Sequence, residues 1–249
     1  MRYWLIIPAT GIGSRFGQAI PKQYIPVRGR TVIEWSLAPF LADSQCAGIV
    51  VVLAAGDSFW PSVARSLNLT RARSAAPAAA VTTAPGGAHR SASVRNGLAA
   101  LQQRSKPDDW VLVHDAARPC VPPEDVERLV SRLEFHAVGG LLAAPASDTL
   151  KSAGETGQVA RTVDRSGLWR ALTPQMFRYR RLCEALDSAA AAGQTPTDES
   201  QAIEWLGDQP LLVEGSAANI KITSPEDLVI ATALLGRPAG VAAGGVGVP

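Results

Sequence analysis

The chain has 249 residues, 47% of them apolar, enough to bury a full core as one large α/β domain or as a domain with an appendage. A formal net charge of +2 gives no support to a duplex nucleic acid or a membrane surface as partner, since either needs a broad basic face. Cys46, Cys120 and Cys183 are scattered, with no C-x-x-C and no histidines clustered beside them, which argues against a disulfide framework or zinc site and for a reducing cytoplasm.

The first predicted element is a strand over Tyr3–Ala9. It is nearly all apolar, as expected when a sheet is covered on both faces. It is too short for a signal-peptide core, and no apolar stretch reaches the roughly 18 residues of a membrane span. A soluble intracellular protein is expected. The strand runs into Pro8-Ala9-Thr10-Gly11-Ile12-Gly13-Ser14-Arg15-Phe16, followed by Pro21-Lys22-Gln23-Tyr24. Glycines such as Gly11 and Gly13, just past a strand's carboxyl end, let backbone amides approach phosphate oxygens. That edge is where open α/β sheets bind ligands. Arg15 can clamp phosphate with two prongs and Lys22 supplies a movable point charge, as a triphosphate requires. Between Met1 and Arg30 stand Arg2, Arg15, Lys22, Arg28 and Arg30 and no acid, a local excess suited to a small polyanion. Rival glycine patterns fail. Gly17 arrives one residue late for G-x-G-x-x-G, Glu34 lies inside a predicted helix rather than at a strand end, and the P-loop pattern is absent.

Further along, a helix is predicted over Thr31–Leu41 and a strand over Ile49–Ala54. Thr70–Ala80 is Ala-rich and reads as a surface insertion. Gly86-Gly87-Ala88-His89-Arg90-Ser91-Ala92-Ser93-Val94 forms another glycine loop running into a helix over Ser91–Gln103, where the Gly87 backbone and the Ser93 hydroxyl could read a pyrimidine edge. A strand over Trp110–His114 ends in His114-Asp115-Ala116-Ala117-Arg118-Pro119. Asp115 there could hold Mg²⁺, directly or through water, or bind sugar hydroxyls, with Arg118 facing an acceptor's phosphate; alternatively Asp115 caps the next turn and pairs with Arg118. A helix over Pro123–Glu134 and a strand over Gly139–Ala144 follow. Ser147–Arg165 breaks the βα rhythm and reads either as a β-arm packing on a partner subunit or as an ordinary loop. Helices are expected over Arg178–Ala192, Asp198–Leu206 and Ser224–Leu235, the last opening Ser-Pro-Glu-Asp. The alternation predicts a mainly parallel twisted sheet with helices on both faces. Residues 1–235 form one domain carrying an arm over 147–165, and 236–249 are too Gly/Ala-rich to order.

Together Pro8–Phe16, Pro21–Tyr24, Gly86–Val94, Val113–Pro119, Asp148–Lys151, Thr162–Trp169, Leu172–Gln175, Thr197–Glu199 and Val213–Thr223 resemble, in order, the 2-C-methyl-D-erythritol 4-phosphate cytidylyltransferase family. The resemblance implies a Rossmann-like nucleotidyltransferase fold that joins CMP from CTP to a polyol phosphate, with Mg²⁺ bound mainly by the CTP phosphates. It implies a cytoplasmic homodimer with crossing β-arms. It implies catalytic roles for Arg15, Lys22 and Lys221, and a nucleotide pocket of Pro8, Ala9, Thr10, Gly11, Gly13, Gly87, Ala88, Ser93 and Asp115. Asp115, Arg118, Thr149, Arg165, Thr173 and Thr197 would contact the acceptor substrate, Thr149 and Arg165 in the opposite subunit. Two departures are visible: Thr10 stands where the family usually has Ala, and Ala88 where some members carry Asp. Ribitol 5-phosphate is the alternative acceptor, and neither a nucleic acid nor a membrane is expected as partner.

Overall fold

The structure, a computed structural model, describes residues 1–11, 20–68 and 79–236. In chain order it begins with β1 (Tyr3–Ala9), a 3-10 turn at Lys22–Tyr24, and the short pair β2 (Pro26–Val27) and β3 (Arg30–Thr31). Then come α1 (Val32–Ala42), β4 (Cys46–Leu53), α2 (Trp60–Ser66), β5 (Ala80–Pro85) and α3 (Arg90–Leu101). The middle holds β6 (Trp110–Val113), α4 (Pro123–Leu133), β7 (Gly139–Pro145), β8 (Leu150–Ala153) and β9 (Val159–Val163). The last elements are β10 (Trp169–Arg178), α5 (Tyr179–Ala191), α6 (Glu199–Trp205), β11 (Leu211–Glu214) and α7 (Pro225–Leu234).

Seven strands form one sheet in the order β11-β7-β10-β6-β1-β4-β5. Only β10 runs antiparallel, against both β6 and β7. The strands of the sheet's centre are apolar on both faces because each face meets helices. Leu5, Ile7, Ile49, Val51 and Leu112 pack on one side with Ile33, Leu37 and Phe40 of α1 and Val126, Leu129, Val130 and Leu133 of α4. Ile6, Val50, Val52, Val111 and Val113 pack on the other with Val94 and Leu98 of α3, Leu182 and Leu186 of α5 and Ile203 of α6. Successive residues of one strand thus enter opposite layers, the period-2 rule of a pleated sheet. The spacing 126, 129, 130, 133 gives α4 the apolar stripe of a one-sided helix. Each such side chain, fully buried, contributes roughly 1.5–3 kcal/mol.

A third apolar cluster positions the site. Ile25, Val27 and Val32 pack with Ile222 and Ala231, tying the segment after Lys22 to the segment before α7. Glu34 sits in the first turn of α1 and accepts from the Thr31 amide (2.6 Å) and hydroxyl (2.7 Å), the N-terminal half of a capping arrangement rather than a ribose-binding acid. β8 and β9 form a separate two-stranded antiparallel sheet, paired from Leu150 with Val163 to Ala153 with Val159. The expected insertion lies mostly, and the expected tail almost wholly, outside the described residues.

Elements that sequence reading passed over are the short pair β2 and β3 and the longer β5, α2, β10 and β11. β10 contains Pro174, which cannot donate to a ladder. The register to β7 shifts between Ala171 and Gln175, so the proline sits where the pairing is already broken. Gly140 of β7 lies opposite Leu211 of β11, and a Cβ there would collide with the Leu211 carbonyl. Gly140→Ala is therefore expected to cost roughly 1–3 kcal/mol by overpacking. Urea unfolding should show a lower midpoint with an unchanged slope; wild-type stability would mean that β11 yields without strain.

Candidate active site

The carboxyl ends of β1 and β6 and the turn after β5 open on one pocket of about 340 Å³. Its walls include Pro8, Ala9, Thr10 and Gly11 from the end of β1, Gly87 and Ala88 before α3, and Lys22, Arg90, Asp115 and Lys221. Gly87 admits no side chain, because a Cβ would lie 2.5 Å from the Ala92 Cβ and 3.0 Å from the Ser93 nitrogen. His89 caps α3 by accepting the Ala92 amide on Nδ1 at 3.2 Å. The N-terminus of this 12-residue helix thus opens beside the pocket and favours negative charge there. Gln23, almost wholly buried, donates from Nε2 to the Ala9 carbonyl at 2.8 Å and fixes the end of β1.

Asp115 gathers the cations. Arg90 Nε lies 3.0 Å from Oδ1, Lys221 Nζ 2.8 Å from Oδ2, and Arg118 Nε 3.6 Å from Oδ2. Burial alone would raise the Asp115 carboxyl, but Arg90, Lys221 and Arg118 hold it far below the usual carboxylate range. The far side of the Arg90 guanidinium grips Glu199, at 2.5 and 3.1 Å. Glu199 is fully buried, and that burial pushes its carboxyl up against the opposing pull of Arg90. Lys22 Nζ donates to the Ile222 carbonyl at 2.8 Å, which sets it beside Lys221. The cations of this group outnumber its carboxylates, so the pocket attracts anions.

Behind Asp115 runs a chain of fixed protons. The Arg118 carbonyl, 3.1 Å from His114 Nε2, can only accept, so Nε2 carries the proton. Nδ1 then accepts from the Thr173 hydroxyl at 2.9 Å, whose oxygen accepts the Asp115 amide at 3.1 Å. Burial lowers His114 to about 4, so the ring is neutral at physiological pH.

These placements bear on several expectations. Thr173 is buried beside Asp115, with its only hydroxyl proton committed to His114 in this arrangement. Arg118 is also largely buried; it donates to the carbonyls of Asn219 (2.7 Å) and Ala171 (3.5 Å) and so ties the end of β6 to the segment that carries Lys221. Asp115 does not fit as a metal ligand, since both its oxygens already face cations. Among the described residues no cluster of three His, Cys, Asp or Glu could cage an ion. Thr149, Arg165 and Thr197 are exposed and away from the pocket walls, Arg165 donating to the Ser147 carbonyl. Arg15 and Gly13 lie outside the described residues. Sequence reading assigned no role to Arg90, Glu199 or Gln23. The available signal was Arg90 itself: a cation at the first position of a helix opposes the dipole and implies an acidic partner from elsewhere.

A doubly covered, mainly parallel sheet with glycine turns and converging cations at its carboxyl edge defines a nucleotide-binding α/β protein of the nucleotidyltransferase class. Residues 3–237 match the family model described as 2-C-methyl-D-erythritol 4-phosphate cytidylyltransferase. A relative of that name from Ectopseudomonas mendocina is 50% identical, over 91% of this chain and 93% of its own. One from Vibrio parahaemolyticus is 45% identical over 94% and 96%. A crystal structure of 4-diphosphocytidyl-2C-methyl-D-erythritol synthase superposes with a TM-score of 0.79 at 38% identity, covering 94% of this chain and 99% of that one. The Thermus thermophilus cytidylyltransferase gives 0.73 at 33%, over 94% and 98%. The chain belongs to the 2-C-methyl-D-erythritol 4-phosphate cytidylyltransferase family. Among the described residues no helix is long and apolar enough to cross a membrane.

The buried His114 also sets a pH dependence. The unfolded chain binds its proton near 6.5 and the folded chain only near 4, so the contribution is complete above 6.5 and is lost as pH falls toward 4. Unfolding free energy should drop by about 3 kcal/mol across that window from this group. Urea unfolding over the same range should show a flatter profile in His114→Gln; an equally steep one would assign the loss to other groups.

Proposed function

We propose that the protein transfers CMP from CTP to 2-C-methyl-D-erythritol 4-phosphate, giving 4-diphosphocytidyl-2-C-methyl-D-erythritol and pyrophosphate. The observation that carries this reading is the convergence of Lys22, Arg90 and Lys221 on one glycine-walled pocket. The family match favours methylerythritol phosphate over another polyol phosphate such as ribitol 5-phosphate.

In this reaction an oxygen of the acceptor phosphate bonds to the α-phosphorus in line with the departing group. The bond between that phosphorus and the bridging oxygen breaks, and its electron pair leaves with pyrophosphate. The acceptor phosphate is already an anion, so no general base is required, in keeping with a buried His114 whose two ring nitrogens are both committed to protein partners. What remains for the protein is to bring two anions together and to meet the charge that develops. Positioning of this kind contributes roughly 7–11 kcal/mol. Lys22 and Lys221, with Arg15 of the first glycine loop, serve the phosphates, and Asp115, itself fixed by Arg90, holds Lys221 in place. A Mg²⁺ ion would be carried by the phosphates of the nucleotide and would supply charge neutralisation there, with Asp115 left to its ion pairs.

The reading includes a homodimer whose β8–β9 ribbons cross, bringing Thr149 and Arg165 to the partner's acceptor site. Its support is the ribbon's exposed apolar side chains, Leu150 and Val159, with Leu168 and Trp169 beside them. The free thiols fit a cytoplasmic setting.

Lys22→Ala, Lys221→Ala and Arg15→Ala are each expected to lower kcat by roughly a hundredfold or more, the cost of one preorganised charge-stabilising donor. Steady-state pyrophosphate release from CTP and methylerythritol phosphate measures this, and near wild-type turnover in all of them refutes the roles. Leu150→Glu combined with Val159→Glu should shift sedimentation from dimer to monomer; an intact dimer would put the interface elsewhere.

A further inference from the structure

Of the charged residues lining the pocket, Arg90 and Lys221 meet at Asp115 and Lys22 bonds the Ile222 carbonyl next to Lys221, while the uncharged Thr10 and Gly87 are joined separately through Ser93. Thr10, following β1, faces the turn of Gly86–Ala88, which follows β5 at the sheet's edge, whereas Asp115 follows β6 on the other side of β1. With the triphosphate on the cations, the base is left to the uncharged end.

Hydrogen bonds at that end fix the direction of its protons. The Gly87 amide can only donate, and reaches Ser93 Oγ at 3.1 Å. The His89 carbonyl can only accept, and lies 3.0 Å from the same oxygen. The single Ser93 proton therefore goes to His89, and Thr10 Oγ1, 3.2 Å from Ser93 Oγ, supplies the proton of the third bond. In the reverse arrangement, with Ser93 donating to Thr10, the bond to His89 is lost and the cluster has one hydrogen bond fewer. Gly86 accommodates the Thr10 rotamer: a Cβ there would collide with the Thr10 methyl group and approach the Leu53 carbonyl to 3.0 Å. With its proton turned onto Ser93, Thr10 offers the pocket lone pairs only.

We propose that Thr10 is a specificity-determining residue that selects a pyrimidine with an exocyclic amino group over one with a carbonyl at the same position, cytosine over uracil; the inference rests on the nucleotide-transfer reading above. An amino group donates to the free lone pair while every bond around Ser93 is kept. A carbonyl there meets lone pair against lone pair, or forces the Thr10 proton outward at the cost of one bond in the cluster.

The test compares kcat/KM for CTP and UTP with methylerythritol phosphate, and binding of each nucleotide without acceptor by calorimetry, in wild type, Thr10→Val, Thr10→Ser and Ser93→Ala. The CTP-over-UTP preference should fall roughly three- to tenfold in Thr10→Val, the worth of one neutral hydrogen bond. Thr10→Ser should keep the preference, and Ser93→Ala, which removes the acceptor of the Thr10 proton, should lower it in the same direction. An unchanged ratio in Thr10→Val, or an equal loss for both nucleotides, overturns the proposal, because a side chain that merely shapes the wall leaves the ratio alone. Wild type that binds neither nucleotide overturns the nucleotide-transfer reading itself, and this inference with it.

Discussion

One carboxylate, that of Asp115, stands between cations that come from three distant parts of the chain: Arg90 at the start of α3, Arg118 beyond β6 and Lys221 ahead of α7. Left alone in that position it would cost several kcal/mol to bury, and the cations without it would repel one another. Together they are stable in a place from which water is largely excluded. The group is not neutral, because Glu199 answers only part of the remaining charge and Lys22 adds more. A pocket built this way is held in shape by attraction among its own members yet keeps positive charge for a ligand. Its strength depends on geometry: the Arg90 guanidinium works in two directions at once, toward Asp115 and toward Glu199, which a point charge such as lysine could not do.

The rest of the wall is fixed by protons that have only one place to go. His114, Thr173 and the Asp115 amide form one such line, and Gly87, Ser93 and Thr10 form another. In both, a backbone carbonyl or amide at the end of the line decides the direction of every hydroxyl along it. Side chains that look interchangeable by composition, two threonines near a nucleotide pocket, thereby take different parts. Thr173 is sealed behind the wall and Thr10 is on its face.

What could be read from sequence follows from where the determinants lie. β1 and β6 are covered on both faces, so unbroken apolar runs announced them, and α4 was legible from its apolar spacing and its Pro-Glu-Asp start. β5 is an edge strand with the half-exposed Thr82 and exposed Thr83 in its middle and carries no such run. β10 was hidden by Pro174 and by buried polar residues, Thr173 and Gln175, whose partners lie on other elements. The glycine turns, Lys22 and Asp115 stood out by residue type and local spacing, whereas Lys221 entered only through the family resemblance. The parts of Arg118 and Arg90 did not stand out, since they depend on which carbonyls and carboxylates the folded chain brings near. The Arg90–Glu199 pair spans 109 positions, and no local pattern encodes it.

The bond from Lys22 Nζ to the Ile222 carbonyl joins positions 200 residues apart, and the apolar cluster of Ile25, Val27, Val32, Ile222 and Ala231 closes the same seam. A ribosome delivers these partners far apart in time. Lys22 emerges first and must wait for a partner made 200 residues later. The pocket is therefore closed only after the segment around Ile222 has been made, and a nascent chain stalled short of it would hold most of the sheet while its Lys22 lacked the carbonyl that fixes it.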